Sequence, residues 1–573
     1  MKTKASSRKI SNNKRRQLNQ IAQQALLHIN DGKILAAATL CDKADDIFKN
    51  FPEIMYARGM IAAFQEDYPT SCKWLEPACA AMPKRFDCLA NLASSMSLCD
   101  RKEETAAIFP RIMEKAPDLF ERMNGHAVFG DLLIDLGEYQ QAMKLLGQAV
   151  ARTNSKDADT AIKASGLYNE FGKPDVAVSL LEKAQTTAPT DPRIPYEIAT
   201  ILIKQNRNEE ARALLKKALA IKPGFIDALF LLIKTGPYQG MEDDLAKMRE
   251  IYRQAPPESS HRILPAFALG DAEDKEGHYP EAFDYWSEGN RIHRNHTGYN
   301  EQDQESIHQA AIEAFPAPRF LHETSENCSS ASPIFIVGMP RCGSTLLERA
   351  LSRHPMLTDA GEIDALGQSI AGRMRLRSNQ LVIENLKTLD DEALLGVGRE
   401  YIRRIRNEYQ VEGTAVDKSL GNYLFIGAIA KALPNAHIIH IQREPMASCL
   451  SMFQANFDNV HYSFNLDELG RQYARYQKLM QHWRNVLPQG VMFETSYENL
   501  VSNTEAELRR ILEYCGLEWH PDCLATHKAT GSVNTASLFQ VRQPIHQKSV
   551  ARWKHYEEQL APLRKYIKAS SNS

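Results

Sequence analysis

The chain has 573 residues, more than one hydrophobic core supports, so two or three domains are expected. Its hydrophobic share of 43 % and charged share of 24 % are those of a globular protein, not of a disordered one. A formal net charge of −2 argues against a nucleic-acid partner, and no apolar run reaches membrane-helix length.

Residues 1–18 read as a basic, unordered tail. Lys2, Lys4, Arg8, Lys9, Lys14, Arg15 and Arg16 occur there without an acid, and no apolar stretch marks a secretory signal. Ten cysteines are scattered without a Cys-x-x-Cys pair. Neither a zinc site nor a disulfide framework is expected, and the pattern suits reduced thiols in a cytoplasmic protein.

Residues 19–300 carry helical periodicity broken by turns at regular intervals. Ala177, Ala184 and Pro189 reappear 34 residues on as Ala211, Ala218 and Pro223, and Ala142 and Ala149 precede the first set by 35. Turns are expected at Gly137, Gly172, Asn206 and Gly277. Small residues let paired helices approach, and proline ends the second helix of a pair. The period resembles tetratricopeptide repeats, most strongly over 130–225. That resemblance implies a superhelical array that recruits a protein, peptide or glycan acceptor. Residues 301–332 are expected to be a connecting helix and a polar linker.

The segment 333–573 alternates strand-like and helix-like runs, which predicts an α/β domain with a parallel sheet covered on both faces. Strands are predicted at 334–337, 414–417, 437–442 and 490–494. Helices are predicted at 344–353, 386–409, 422–432, 445–455, 467–486, 504–514 and 552–568. The apolar strand Ile334-Phe335-Ile336-Val337 runs into Gly338-Met339-Pro340-Arg341-Cys342-Gly343-Ser344-Thr345. Glycines allow close backbone approach, and the helix start offers free N–H groups and a positive dipole end, so the loop suits a phosphate or sulfate. It departs from the Walker pattern: Ser344 stands where a P-loop has lysine, and the charge sits at Arg341. Cys342 lies in a positive field that would lower its pKa, although a filler role suits it better.

The loop resembles the 5′-phosphosulfate loop of sulfotransferases that use PAPS (3′-phosphoadenosine 5′-phosphosulfate), of the Pro-Arg-x-Gly-[ST]-Thr type seen in tyrosylprotein sulfotransferases. Further motifs follow in the family's order. Arg443, at the end of the strand His437–Gln442, and Ser451, on the helix opened by Pro445, resemble the 3′-phosphate motif. Asp359-Ala360-Gly361-Glu362-Ile363-Asp364 resembles the element carrying the catalytic base. Counting without gaps from Arg341 places the base on Glu362, where the family has two successive glutamates and then an arginine. Lys418 falls near the family's lysine directed at the bridging oxygen of PAPS. Ser537, within Asn534–Pro544, falls on a catalytic serine, and Arg552 on a cation that contacts the nucleotide. Tyr497 resembles an element near the nucleotide.

These resemblances imply a catalytic set of Glu362, Arg341, Lys418 and Ser537. They imply donor binding by Arg341, Cys342, Gly343, Ser344, Thr345, Arg443, Ser451, Tyr497 and Arg552. The implied reaction is sulfuryl transfer from PAPS to an acceptor hydroxyl, protein tyrosine among the options, leaving PAP (adenosine 3′,5′-bisphosphate), with no metal. Two other readings remain open: a kinase-like P-loop enzyme, and a repeat scaffold whose nucleotide domain does not turn over.

Overall fold

The computed structural model describes residues 10–152, 158–236, 241–320, 332–374, 376, 379–526 and 550–570. The chain divides into two compact units, Met1–Tyr168 and Asn169–Ser573. This division cuts through the segment expected to form one array.

The first unit is built of helix pairs. Its first helix, Asn12–Asn30, starts inside the stretch expected to be an unordered tail. The Ser11 hydroxyl caps it by accepting from the Lys14 N–H. Leu18, Ala22 and Ala25 then pack with Ala37, Cys41 and Ala44 of Ile34–Ile47, while Lys14, Arg15 and Arg16 stay exposed. The apolar face, not the charge, decides order at that end. The connection from Tyr68–Ala81 to Phe86–Leu98 brings the sulfurs of Cys79 and Cys88 to 2.7 Å, both as free thiols.

Left-handed backbone marks the repeat turns. It occurs at Gly32, Glu66, Asp100 and Gly137, and again in the second unit at Gly172, Asn206 and Gly277. Glu66 and Asp100 accept φ values of 62° and 60° that glycine would adopt more cheaply, so the weaker sequence pattern before residue 130 conceals the same repeat. The predicted alanines Ala177, Ala184, Ala211 and Ala218 are all buried between helices.

The second unit ends in a five-stranded, fully parallel sheet of order β2-β3-β1-β4-β5. The strands are β1 (Ile334–Val337), β2 (Leu357–Gly361), β3 (Thr414–Asp417), β4 (His437–Gln442) and β5 (Met492–Ser496). Strand β2 escapes sequence reading because Leu357-Thr358-Asp359-Ala360-Gly361 is an edge strand with a single buried residue. The predicted helix over 552–568 is instead two 3-10 turns, Arg552–Tyr556 and Ala561–Leu563, and a last helix, Arg564–Ser570.

Strand β1 sits between β3 and β4, so the chain leaves the sheet centre in both directions and a crevice opens at the carboxyl ends of β1 and β4. The last helices before the sheet are not a separate layer. Ile263, Phe267, Trp286 and Phe315 share one core with Phe335, Val337, Leu450 and Trp483. Among the described residues, no helix is long and apolar enough to cross a membrane.

Candidate active site

The Gly338–Thr345 loop leaves β1 and opens the helix Ser344–Leu351. Gly338 passes so close to β4 that a Cβ there would lie 2.5 Å from the Ile441 carbonyl oxygen. Gly343 has φ 96°, and a Cβ would lie 2.4 Å from the Tyr497 ring. Arg341 itself adopts φ 67°. Strained backbone held by its surroundings is typical of sites where geometry is fixed for a ligand. Ser344 and Thr345 are buried in the first helical turn. Cys342 is buried too, and burial pushes its thiol up to about 11, against the expectation of a lowered value. It is a packed filler beneath the loop.

Two guanidinium groups meet at this loop. Arg443 Nη1 donates to the Arg341 carbonyl at 3.1 Å, and its guanidinium lies 4.7 Å from the centre of the Tyr497 ring. Burial and the neighbouring charge of Arg443 hold Arg341 down to about 10, still cationic at neutral pH. Arg341 Nε donates to Ser451 Oγ at 3.0 Å. Ser451 therefore orients Arg341 as well as standing on the helix Pro445–Phe453 beside Arg443. Two cations and the N–H groups of a helix start form a cradle matched to a doubly charged phosphate or a phosphosulfate.

Across the crevice, Lys418 follows β3. Its side chain is 1 % exposed and its ammonium pairs with Glu362 and, at 3.6 Å, with Glu348 Oε2. Burial disfavours its charge, but Glu348 and Glu362 outweigh that and raise the pKa above the ordinary lysine value. Glu348, on the loop's own helix, was not foreseen from sequence. Burial lifts its carboxyl well above the usual range, with Lys418 opposing. An acid in the middle of an amphipathic helix gives no sign that it will face inward.

Residues 333–521 match the model of the sulfotransferase family, and residues 168–234 match a tetratricopeptide-repeat model. These residues form a sulfotransferase domain joined to tetratricopeptide repeats.

An uncharacterised protein of Aquifex aeolicus is 26 % identical over 415 residues, covering 70 % of this chain and 54 % of that protein. The chain thus spans about half the length of that relative. A putative protein-tyrosine sulfotransferase of Caenorhabditis briggsae is 23 % identical over 231 residues, 38 % of this chain and 80 % of the relative. The solved sulfotransferase domain from the curacin biosynthetic pathway aligns with 41 % of this chain and 98 % of its own, at 18 % identity and a TM-score of 0.29.

Within the sulfotransferase domain, Gly338, Arg341, Ser344, Thr345 and Glu362 line one cavity of about 1030 Å³. Asp364 also lines it, but its Oδ1 lies over the start of the Ala365–Met374 helix, 2.5 Å from where a Gly367 Cβ would stand. Asp417, at the end of β3, is fully buried and holds its oxygens to the Tyr401 hydroxyl and the Ser419 N–H, at 3.1 and 2.9 Å. Arg552 does not line this cavity. Its guanidinium pairs with Asp274 of the Ile263–Glu276 helix, whose other carboxylate oxygen accepts from Tyr556 at 2.5 Å. That pairing ties the C-terminal segment to the Ile263–Glu276 helix. Ser537 lies outside the described residues.

Proposed function

We propose that the sulfotransferase domain moves a sulfuryl group from PAPS to a phenolic hydroxyl, with protein tyrosine the acceptor that the relatives' names suggest. The observation that carries the reading is the pairing of Lys418 with Glu362 beside a glycine loop at which Arg341 and Arg443 meet. A buried cation, an acid at the cavity wall and an anion cradle are the three parts that in-line transfer needs.

In this reading the Gly338–Thr345 loop and Arg341 hold the 5′-phosphosulfate, and Arg443 with Ser451 holds the 3′-phosphate. The acceptor oxygen forms a bond to sulfur while the bond from sulfur to the bridging oxygen breaks. The phenolic proton passes to Glu362, and Lys418 stabilises the charge left on the bridging oxygen of PAP. Fixed charges in a site shielded from water are usually the largest catalytic contribution. A sulfuryl group carries less charge than a phosphoryl group, so this chemistry needs no divalent cation. Strand β4 is followed by Arg443 rather than a magnesium-binding aspartate, which supports the same reading.

The test is incubation of the full chain with sulfur-35-labelled PAPS and a tyrosine peptide, with and without excess EDTA. Label on the tyrosine oxygen in both arms supports the proposal. Transfer that requires magnesium, or label from ATP instead, overturns it.

A further inference from the structure

The cavity that holds Arg341 and Glu362 is not walled by the sulfotransferase domain alone. Lys204 and Tyr299 line it as well. Lys204 is the last residue of the helix Arg193–Lys204, inside the segment that matches the repeat model. Tyr299 stands two residues before the helix Glu301–Ala314, ahead of its cap Asn300. Phe457 and Tyr462, between the helices Pro445–Phe453 and Leu466–Val486, complete an aromatic side.

We infer that Lys204 and Tyr299 form the acceptor-selecting wall of this site, and that its acceptor is an extended tyrosine-bearing polypeptide. The inference rests on the sulfotransferase reading above and adds where the acceptor lies. At about 1030 Å³ the cavity has room for the phosphosulfate end of the donor and for more than a phenol ring beside it. A tyrosine that reaches Glu362 leaves its flanking residues against the repeat-side wall.

Tyr299 is built to receive them. Arg475 donates to its hydroxyl at 3.2 Å, that hydroxyl faces Glu301 at 3.4 Å, and the Arg294 guanidinium lies 5.3 Å from its ring centre. A ring fixed in advance presents contact area at little cost in conformational entropy. Lys204 has its pKa lowered by burial, with Glu197 and Glu170 opposing. A partly dehydrated ammonium at a helix end is a strong donor for the backbone carbonyls of an extended chain. The repeats then orient the acceptor at the reacting atoms instead of tethering it at a distance.

The experiment measures transfer from PAPS to two probes, a twelve-residue tyrosine peptide and p-nitrophenol, with wild type, Lys204→Ala and Tyr299→Leu. PAP binding by calorimetry is recorded for each. The expected result is a peptide KM raised roughly 3–10-fold in Lys204→Ala, the worth of one hydrogen bond. The KM for p-nitrophenol should stay within about twofold, and PAP affinity should not move. An unchanged peptide KM in both variants overturns the inference, as does an equal loss with both probes. Wild type that binds PAP but transfers to neither probe overturns it too, together with the phenolic acceptor. Wild type that does not bind PAP overturns the sulfotransferase reading itself.

Discussion

Asn290, on the last repeat-like helix, donates its side-chain amide to the carbonyl of Phe453 at 2.8 Å, with both residues buried. Phe453 closes the helix that carries Ser451, two residues away, so the helix bearing the partner of Arg341 is bonded directly to the helices that precede the sheet. Phe283 stacks on Phe453 as well, with ring centres 5.2 Å apart. A fragment spanning 320–573 would expose this face and lose Trp286 and Phe315 from its core. It is expected to be unfolded or aggregated by circular dichroism and gel filtration, whereas 169–573 folds cooperatively. A monomeric 320–573 fragment that binds PAP would show the sheet domain to be self-sufficient.

Gly343, like Gly338, is a position where the loop leaves no room for a side chain. Gly343→Ala forces a Cβ into Tyr497 and a left-handed φ onto alanine, which costs about 1–2 kcal/mol before the clash is counted. The expected outcome is PAP affinity lost with the fold retained, read by calorimetry beside a thermal melt. Gly372, with open space around it, serves as the control: Gly372→Ala should leave PAP binding unchanged.

Glu362 pairs with Lys418, while Asp364 is drawn to the start of its own helix. Glu362→Gln is therefore expected to lower kcat by roughly 10²-fold or more and leave PAP affinity intact. Asp364→Asn should keep most turnover. The opposite pattern in steady-state kinetics would move the base to Asp364.

Asp417 gives the clearest pH effect. Burial raises its carboxyl from an ordinary 3.8 to about 6, although Ser419 and Tyr401 bond to it. Between those values the folded state holds a proton that the unfolded chain has released. Stability should therefore fall as pH rises through that window, by up to roughly 3 kcal/mol. Asp417→Asn keeps an acceptor for the Ser419 N–H, and the Tyr401 hydroxyl can turn to accept. The variant should flatten the slope between pH 4 and 6.5 in guanidinium denaturation. A slope equal to wild type would assign it elsewhere.

Arg443 stands over Tyr497 and against the Arg341 carbonyl. It is expected to distinguish PAP from AMP, with a charged hydrogen bond worth about 1.5–3 kcal/mol. Arg443→Ala should bring the two affinities together in calorimetry. Wild type that binds PAP and AMP equally would remove the 3′-phosphate role.

The sequence was most legible where a run of residues has one meaning. Ile334–Val337 is apolar throughout and is followed by glycine, so strand, loop and helix follow in order. The alanine spacing disclosed the repeats because a close helix contact admits only small residues. Legibility failed where the signal is spread or cancelled. The edge strand β2 buries a single residue, and Glu66 and Asp100 occupy turns that glycine would have announced.

By itself the sequence determined the two architectures, the glycine loop and the chemical types gathered near it, because periodicity and backbone freedom are local properties of the chain. Tertiary structure alone decided that Glu348 faces Lys418, that Ser451 holds Arg341, that Arg552 turns to Asp274, and that Lys204 shares a cavity with Glu362. Each of these depends on which surfaces pack together over separations of roughly 70 to 280 residues. A charged side chain carries no local mark of the partner that burial will impose on it.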